Sequence, residues 1–235
     1  MLLSSRHYSL IVPLHIRRTC TREPLTTVAH REDNIATNAA CDPAMKSIVL
    51  ASASPRRKEL LEQIGLRFQV EPGNYDEHTA TASDPQKMAR DLSLGKARAA
   101  ALKHRKAIVI AADTLVILGD QILGKPHTIA DARGMLRALN GRMHSVVTGF
   151  TILDADTGKM LSRSVETRVH MRTATLREID DYVRTKEPLD KAGGYAIQGR
   201  GAVLVDRIEG DHSNVVGLPL SALAEGLREF GVKVL

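Results

Sequence analysis

The fold is decided by residues 47–57, which read Ser-Ile-Val-Leu-Ala-Ser-Ala-Ser-Pro-Arg-Arg. The apolar run at its start predicts a buried strand. Ser54 and Pro55 are typical of the N-cap and the first residue of a helix. That helix has Leu60, Leu61 and Ile64 on one face and Gly65 placed to end it. The stretch therefore predicts a strand that turns directly into a helix.

Arg56 and Arg57 fall in the first turn of this helix. A helix N-terminus already carries partial positive charge, so it is an unfavourable place for cations. Free backbone N–H groups, two guanidinium groups and nearby hydroxyls such as that of Ser54 together favour a bound anion. The alternative is that both arginines are solvated surface residues, which explains one misplaced arginine more easily than two.

Composition narrows the classes of partner. The chain has 235 residues, 43% hydrophobic and 26% charged, as is ordinary for a globular protein. A net charge of +6 suits an anionic ligand but is too small to indicate nucleic acid. Aromatic residues make up 3% of the chain, which is few for a protein that stacks on single-stranded bases. No apolar stretch is long enough to span a membrane. From charge, aromatic content and the lack of such a stretch, we expect neither a nucleic-acid nor a membrane partner.

Residues 1–46 differ in composition from the rest and are predicted to form an N-terminal extension to a domain at 47–235. They are rich in arginine and contain no acidic residue before Glu23. Three interpretations remain: a disordered or processed leader resembling an organellar transit peptide, an over-extended start with Met45 as the initiator, or an ordered arm. We rank the over-extended or disordered interpretations first, the transit peptide second and the ordered arm last.

The cysteines constrain chemistry and location. Cys20 and Cys41 are the only two in the sequence, so thiol catalysis, cysteine zinc sites and disulfides are excluded from the main domain. This fits a reducing compartment, and we expect the protein to be cytoplasmic, with organellar targeting by residues 1–46 left open.

The rest of the chain alternates between strand and helix patterns. Strands are predicted at 67–70, 107–112, 145–153, 160–172, 202–205 and 232–235, with a hairpin formed by 115–118 and 122–123. Helices are predicted from Pro85 to about His104, at 129–139, at 176–185 and from Pro219 onward. A polar loop occupies 71–83.

Asp113 is the leading candidate for chemistry, because it follows the apolar strand at 107–112. Ligands of open α/β sheets bind at such strand ends, where a carboxylate can hold a divalent metal or activate water. The commoner role of an isolated Asp is to form a turn. Lys125 lies between Gly124 and Pro126. A residue before proline has a restricted, extended backbone, which predicts that the Lys125 side chain points in a fixed direction. The alternative is a solvated lysine in a turn.

Three further residues are weaker candidates. Glu77, in the polar loop, is a possible magnesium ligand, although most loop acids are simply solvated. Lys96 lies within a helix, where most lysines are exposed. Gln198 has an amide that can read a base edge, or can simply bind backbone. The sequence has no nucleophile elbow, which argues against a serine hydrolase, and its histidines lack the spacing of metal ligands. The remaining candidates predict a basic pocket that binds phosphate with the help of a metal ion, as phosphoryl or nucleotidyl chemistry requires.

An ordered set of motifs over residues 47–235 resembles the Maf family of nucleoside triphosphate pyrophosphatases. The motifs are Leu50-Ala-Ser-Ala-Ser-Pro-Arg-Arg57, Ala112-Asp113-Thr114, Leu123-Gly-Lys-Pro126, Gly141-Arg-Met-His144 with Thr148-Gly149, Asp190-Lys-Ala-Gly-Gly-Tyr195 with Ile197-Gln-Gly199, and Gly210-Asp-His-Ser-Asn-Val-Val-Gly-Leu-Pro219.

The resemblance implies hydrolysis of a nucleoside triphosphate between the α and β phosphates, giving the monophosphate and pyrophosphate. It implies an α/β fold like that of the inosine triphosphatase group, with an elongated mixed β-sheet flanked by helices and an active-site cleft between two lobes. It also implies a divalent metal cation (Mg²⁺ or Mn²⁺) and a homodimer. Asp-Thr and Ile-Gln-Gly at these positions are similar to the dTTP/UTP pyrophosphatase subgroup, whose expected role is to keep non-standard nucleotides out of nucleic acid.

The resemblance also implies roles for individual residues. Asp113 would be the proton acceptor for the attacking water. The other roles are base preference for Arg56, Thr114 and Gln198, phosphate binding for Ser54, Arg57, Lys96 and Lys125, and metal binding for Glu77 and Asp113. The alternative is a nucleotide-sensing protein that influences cell division, with hydrolysis incidental.

Overall fold

One mixed sheet organises the protein, whose computed structural model describes residues 46–72, 75 and 84–235. Seven strands of the described residues form it: β1 (Ser47–Leu50), β2 (Gln69–Val70), β3 (Ala107–Leu118), β4 (Gln121–Leu123), β5 (Met143–Asp154), β6 (Met160–Met171) and β7 (Val205–Glu209). Their order is β2-β1-β3-β5-β6-β7, with β4 paired to β3. The first three strands of this order are parallel and the other pairings are antiparallel.

The helices lie on both faces of this sheet. They are α1 (Pro55–Gln63), α2 (Pro85–Ala101), α3 (Ile129–Leu139), α4 (Leu176–Arg184), α5 (His212–Val216) and α6 (Leu220–Arg228). Asp84 caps α2, and Thr128 and Thr175 form capping boxes at α3 and α4. Among the described helices, none combines the length and hydropathy that crossing a bilayer requires.

The alternation of side chains along β3 explains where the helices pack. Ile108 and Ile110 join the hydrophobic cluster under α1 and α6, and Val116 on the same face joins the cluster under α3 and α4. Val109 and Leu115, on the opposite face, pack against α2. The sheet is therefore buried on both faces along its central strand, and the predicted α/β fold with an elongated mixed sheet flanked by helices is confirmed.

The structure corrects the predicted end of the central strand. We expected a strand at 107–112 that ends at Asp113, followed by a separate strand at 115–118. Instead β3 is continuous, because β5 pairs with it from Ile108 to Ile117, so Asp113 lies in mid-strand. On the other edge of β3, β1 pairs only as far as Ile110 and β4 begins at Val116. Among the described residues, no strand pairs with the segment between them on that edge.

Two of the predicted strands are wrong. Residues 199–204 form a 3₁₀ segment instead of a strand at 202–205, and the strand β7 begins at Val205. Residues 232–235 form no strand, because the N–H of Val232 donates to the carbonyl of Leu227 in the turn that ends α6. Val232 instead packs into the core cluster under α6. The other predicted strands and helices match the observed ones to within a few residues. Most of the predicted polar loop at 71–83, and all but the last residue of the predicted extension at 1–46, lie outside the described residues.

His144 on β5 makes the stability of the fold dependent on pH. Its ring is 2% exposed, and its Nε2 lies 2.7 Å from the hydroxyl of Tyr195. Burial, with a smaller contribution from His170, lowers the pKa of His144 from 6.5 to about 4. The folded protein therefore resists protonation at this ring, whereas the unfolded chain accepts the proton near pH 6.5.

We expect the free energy of unfolding to fall as the pH drops from 6.5 towards 4, by about 3 kcal/mol for this group. Below that range both states are protonated and the contribution of His144 no longer changes. Urea titrations at several pH values will measure the effect, with His144→Gln as the non-titrating comparison. An equally steep loss of stability in His144→Gln would assign the pH dependence to other groups.

Candidate active site

A cleft of about 800 Å³ opens beside the part of the β3 edge that pairs with neither β1 nor β4. The turn from β1 into α1, the β4 segment and residues 190–192 and 195–198 after α4 form its walls. The structure brings eight of the nine predicted site residues to this cleft: Ser54, Arg56, Arg57, Lys96, Asp113, Thr114, Lys125 and Gln198. The ninth, Glu77, lies outside the described residues, so its role as a metal ligand stays a prediction.

Asp113 and Lys96 form an ion pair on the α2 face of β3. Lys96 Nζ lies 2.5 Å from Asp113 Oδ1, and the two side chains are 13% and 12% exposed. No hydrogen bond from the described residues reaches Oδ2 of Asp113. Oδ1 is thus held by a cation from α2, while Oδ2 is placed to accept a proton or to bind a metal ion.

The closeness of α2 to the sheet sets the geometry of this pair. Gly149 on β5 pairs directly with Asp113, and a Cβ there would lie 2.2 Å from the carbonyl carbon of Ala89 on α2. Ser93 of α2 also contacts Thr151 of β5, with 2.8 Å between their hydroxyl oxygens. The helix rests on the bare backbone of Gly149, which lets Lys96 reach Asp113.

Arg57 links three parts of the cleft wall. Its Nε donates to the carbonyl of Gly217 at 2.8 Å, its Nη1 to Ser52 Oγ at 3.2 Å and its Nη2 to Thr114 Oγ1 at 3.0 Å. Thr114 Oγ1 lies 3.0 Å from Thr148 Oγ1 in turn. Each guanidinium nitrogen thus donates to the protein itself, so the side chain positions Thr114 as well as adding positive charge.

Arg56 reaches across the cleft from the start of α1. Its Nη1 lies 3.7 Å from Asp190 Oδ2, and Lys191 Nζ lies 2.5 Å from the other oxygen of Asp190. Lys125 is exposed on the β4 side and makes no hydrogen bond or ion pair with the described part of the chain. Cations from three walls therefore surround the cleft, an arrangement that suits a polyanion.

Gln198 lies at the rim of the cleft, just before the 3₁₀ segment at Gly199–Leu204. Its side chain is exposed, and no hydrogen bond joins its amide to the described residues. The amide is therefore available to a ligand, and its role in base recognition stays a prediction.

Comparison with known proteins places these features in a family. Residues 47–230 match the family model described as "Maf-like protein". The chain belongs to the Maf family. The dTTP/UTP pyrophosphatases of Methanosarcina mazei and Methanococcoides burtonii are 49% and 48% identical over 191 residues, covering 81% of this chain and 97% and 98% of theirs. That of Desulforamulus reducens is 45% identical over 190 residues, covering 81% of this chain and all of its own.

A solved HAM1 protein from Coxiella burnetii aligns with this Maf chain at 17% identity and a TM-score of 0.45. The alignment covers 79% of this chain and all of the HAM1 chain.

The donor set of the Maf cleft fits a magnesium-type ion. No group of three or more His, Cys, Asp or Glu side chains suited to a metal occurs among the described residues. Magnesium is commonly bound by one or two carboxylates together with substrate phosphates. Oδ2 of Asp113 supplies one such oxygen inside the cleft, and the phosphates of a nucleotide would supply others.

Sequence reasoning missed several residues that shape this site. Ser52 and Gly217 hold Arg57, and Asp190 and Lys191 form the wall opposite Arg56. All four lie within the motifs that carry the family resemblance, so their place in an ordered motif was the available signal. Their contacts depend on tertiary structure, which no local pattern in the chain reveals.

Proposed function

We propose that this Maf protein hydrolyses nucleoside triphosphates, dTTP and UTP above all, to the monophosphate and pyrophosphate. The observation that carries the proposal is the cleft itself, in which a carboxylate held by Lys96 faces a ring of cations. Its volume of about 800 Å³ is in the range of small-molecule sites. Relatives 45–49% identical to this chain bear the name dTTP/UTP pyrophosphatase.

In the proposed reaction, Oδ2 of Asp113 accepts a proton from water as the water oxygen attacks the α-phosphorus. The new bond joins that oxygen to the α-phosphorus, and the bond to the bridging oxygen of the β-phosphate breaks. Lys96 fixes the carboxylate through Oδ1. Lys125 and Arg56 stabilise the charge that develops on the departing pyrophosphate. Because Oδ2 of Asp113 takes the proton in this step, the phosphates and the predicted ligand Glu77 would hold a divalent ion, which would supply further neutralisation of phosphate charge.

The base is proposed to be read at the rim of the cleft by the amide of Gln198, with Arg56 and Thr114 contributing to preference. Uracil and thymine present an N3–H donor beside carbonyl acceptors, which an amide group complements. A site built to satisfy these hydrogen bonds discriminates against bases that leave its polar groups unpaired.

A nucleotide panel tests the proposed function directly. We expect pyrophosphate release from dTTP, UTP, 5-methyl-UTP and pseudo-UTP, with kcat/KM at least about tenfold above that for CTP and 7-methyl-GTP. Chelation with EDTA should stop turnover, and Mg²⁺ or Mn²⁺ should restore it. Release of orthophosphate instead of pyrophosphate would contradict cleavage between the α and β phosphates.

We further propose a cytoplasmic homodimer that limits the incorporation of non-standard nucleotides and has neither a nucleic-acid nor a membrane partner. The family resemblance supports the dimer, and the cysteine-free stretch from residue 42 onward fits a reducing compartment. Sedimentation of the purified chain and fractionation of cells that express it test these two points.

A further inference from the structure

Glu187 is a carboxylate that the proposed reaction does not use, and it lies directly behind the loop that carries Gln198. Its Oε1 accepts hydrogen bonds from the N–H of Gly201 at 3.0 Å and from the hydroxyl of Tyr182 at 3.1 Å. Its Oε2 accepts from the N–H of Arg200 at 3.1 Å. Hydrogen bonds to a carboxylate are stronger than those between neutral groups. Glu187 therefore holds two consecutive backbone amides just after Gln198.

The glycines of this loop are required by its path around the carboxylate. Gly199 has a φ of +79°, and a Cβ there would lie 3.0 Å from Glu187 Oε2. A Cβ at Gly201 would lie 2.4 Å from the carbonyl oxygen of Ala196 and 2.6 Å from the hydroxyl of Tyr182. The hydroxyl of Tyr182 also accepts a hydrogen bond from the N–H of Ala196, at 3.1 Å. Both ends of the segment that bears Gln198 are thus fixed to one hydrogen-bonded pair, the buried Tyr182 and the half-buried Glu187.

Glu187 is itself held in place from its own side. Lys186, just before it, has a φ of 62°, and no other non-glycine residue of the described chain has a positive φ. The hydroxyl of Thr185 accepts from the N–H of Glu187 at 3.2 Å and donates to the carbonyl of Tyr182 at 2.6 Å. A left-handed lysine is costly and persists where surrounding contacts over-determine it. The turn at 185–187 is therefore built to aim one carboxylate at the loop.

We infer that Glu187 is a positioning residue that fixes the backbone at residues 198–201 and thereby sets base discrimination through Gln198. A glutamine amide can rotate to present either its donor or its acceptor, so it separates uracil from cytosine only when the neighbouring backbone groups are fixed as well. An anchored backbone supplies that fixed reference. The inference rests on the proposed function, because discrimination is read from nucleotide turnover.

Glu187→Gln tests the inference. It keeps the size of the side chain but replaces one of the two acceptor oxygens with an NH₂ group, which cannot accept the hydrogen bond from a backbone N–H. We expect the KM for UTP to rise about tenfold with kcat within about twofold, and the preference for UTP over CTP to fall about tenfold. The matched control is Glu225→Gln on α6, whose side chain is 69% exposed. The control should match the wild type in all three values.

Two further measurements separate positioning from general damage. In a double-mutant cycle with Gln198→Ala, Glu187→Gln should add little further loss of discrimination, because both act through one loop. Hydrogen exchange at the amides of Arg200 and Gly201 should be faster in Glu187→Gln. If that variant does not fold, Tyr182→Phe, which removes one hydrogen bond to the carboxylate and the acceptor for the N–H of Ala196, should show the same changes.

The outcomes distinguish this inference from the proposed function. Turnover by the wild type together with unchanged UTP-to-CTP preference in Glu187→Gln overturns the inference alone, as do independent, additive losses in the cycle. A wild type that releases no pyrophosphate from any nucleotide overturns the proposed function and, with it, the role in base discrimination. Amide protection at residues 200 and 201 that is equal in both proteins overturns the anchoring itself.

Discussion

Asp113→Asn is expected to reduce pyrophosphate release from dTTP by about a thousandfold while leaving the protein folded. Asparagine has nearly the same shape and can still accept the hydrogen bond from Lys96 through its carbonyl oxygen. It cannot accept a proton from water, nor offer a metal ion the charge of a carboxylate. The loss should appear in kcat and in kcat/KM together, because the missing interaction acts in the transition state.

The matched control for this variant is Asp120→Asn. Asp120 is exposed in the turn between β3 and β4, so the same chemical change is made just beyond the end of the same strand but away from the carboxylate pair. It should leave activity and the urea midpoint unchanged. Equal turnover in Asp113→Asn and wild type would remove Asp113 from the role of proton acceptor. An inactive Asp113→Asn that still supports normal cell division would separate catalysis from any role in division.

The stretch at 47–57 was readable because its signals are local. An apolar run and a first-turn proline specify β1 and α1 from the residues themselves, and the structure confirms both, although Ser54 occupies the N-cap position without a capping hydrogen bond from its side chain. The same holds for α3, the helix predicted at 129–139, which Thr128 caps. Eight of the nine residues predicted for the site line one cleft, and all of these except Lys96 lie within the ordered motifs.

The position of Asp113 within β3 could not be read in this way. A local pattern marks an apolar run as ending at a charged residue, whereas the strand continues because β5 pairs along its whole length. Likewise Arg57 binds the carbonyl of Gly217, 160 residues away in sequence. Such contacts form only in the tertiary structure. They decide which side chains position the site residues and which are available to the substrate.

Gly149→Ala should show how strongly the fold and the site depend on one another. A single methyl group at this position would lie 2.2 Å from the carbonyl carbon and oxygen of Ala89, both backbone atoms of α2. Since no side chain can rotate away, the helix must move off the sheet. Overpacking of this kind costs about 1–3 kcal/mol, and we expect a loss near the upper end, seen as a lower urea midpoint.

The same movement should reduce activity in the protein that remains folded. Gly149 pairs with Asp113, and Lys96 reaches that carboxylate from the displaced helix, so the ion pair must lengthen or shift. A misplacement of about 1 Å at reacting groups can cost about a hundredfold in rate, and we expect a loss of that order in kcat at a temperature where the variant is folded.

The matched control is Gly134→Ala on α3, where an added Cβ meets nothing within 4 Å. Because alanine is favoured over glycine within a helix, this variant should gain about 0.5–1 kcal/mol of stability with normal turnover. Urea unfolding and pyrophosphate release, measured on both variants, separate the two cases. Full activity in a destabilised Gly149→Ala would mean that the contact between α2 and β5 supports the fold but does not set the distance between Lys96 and Asp113.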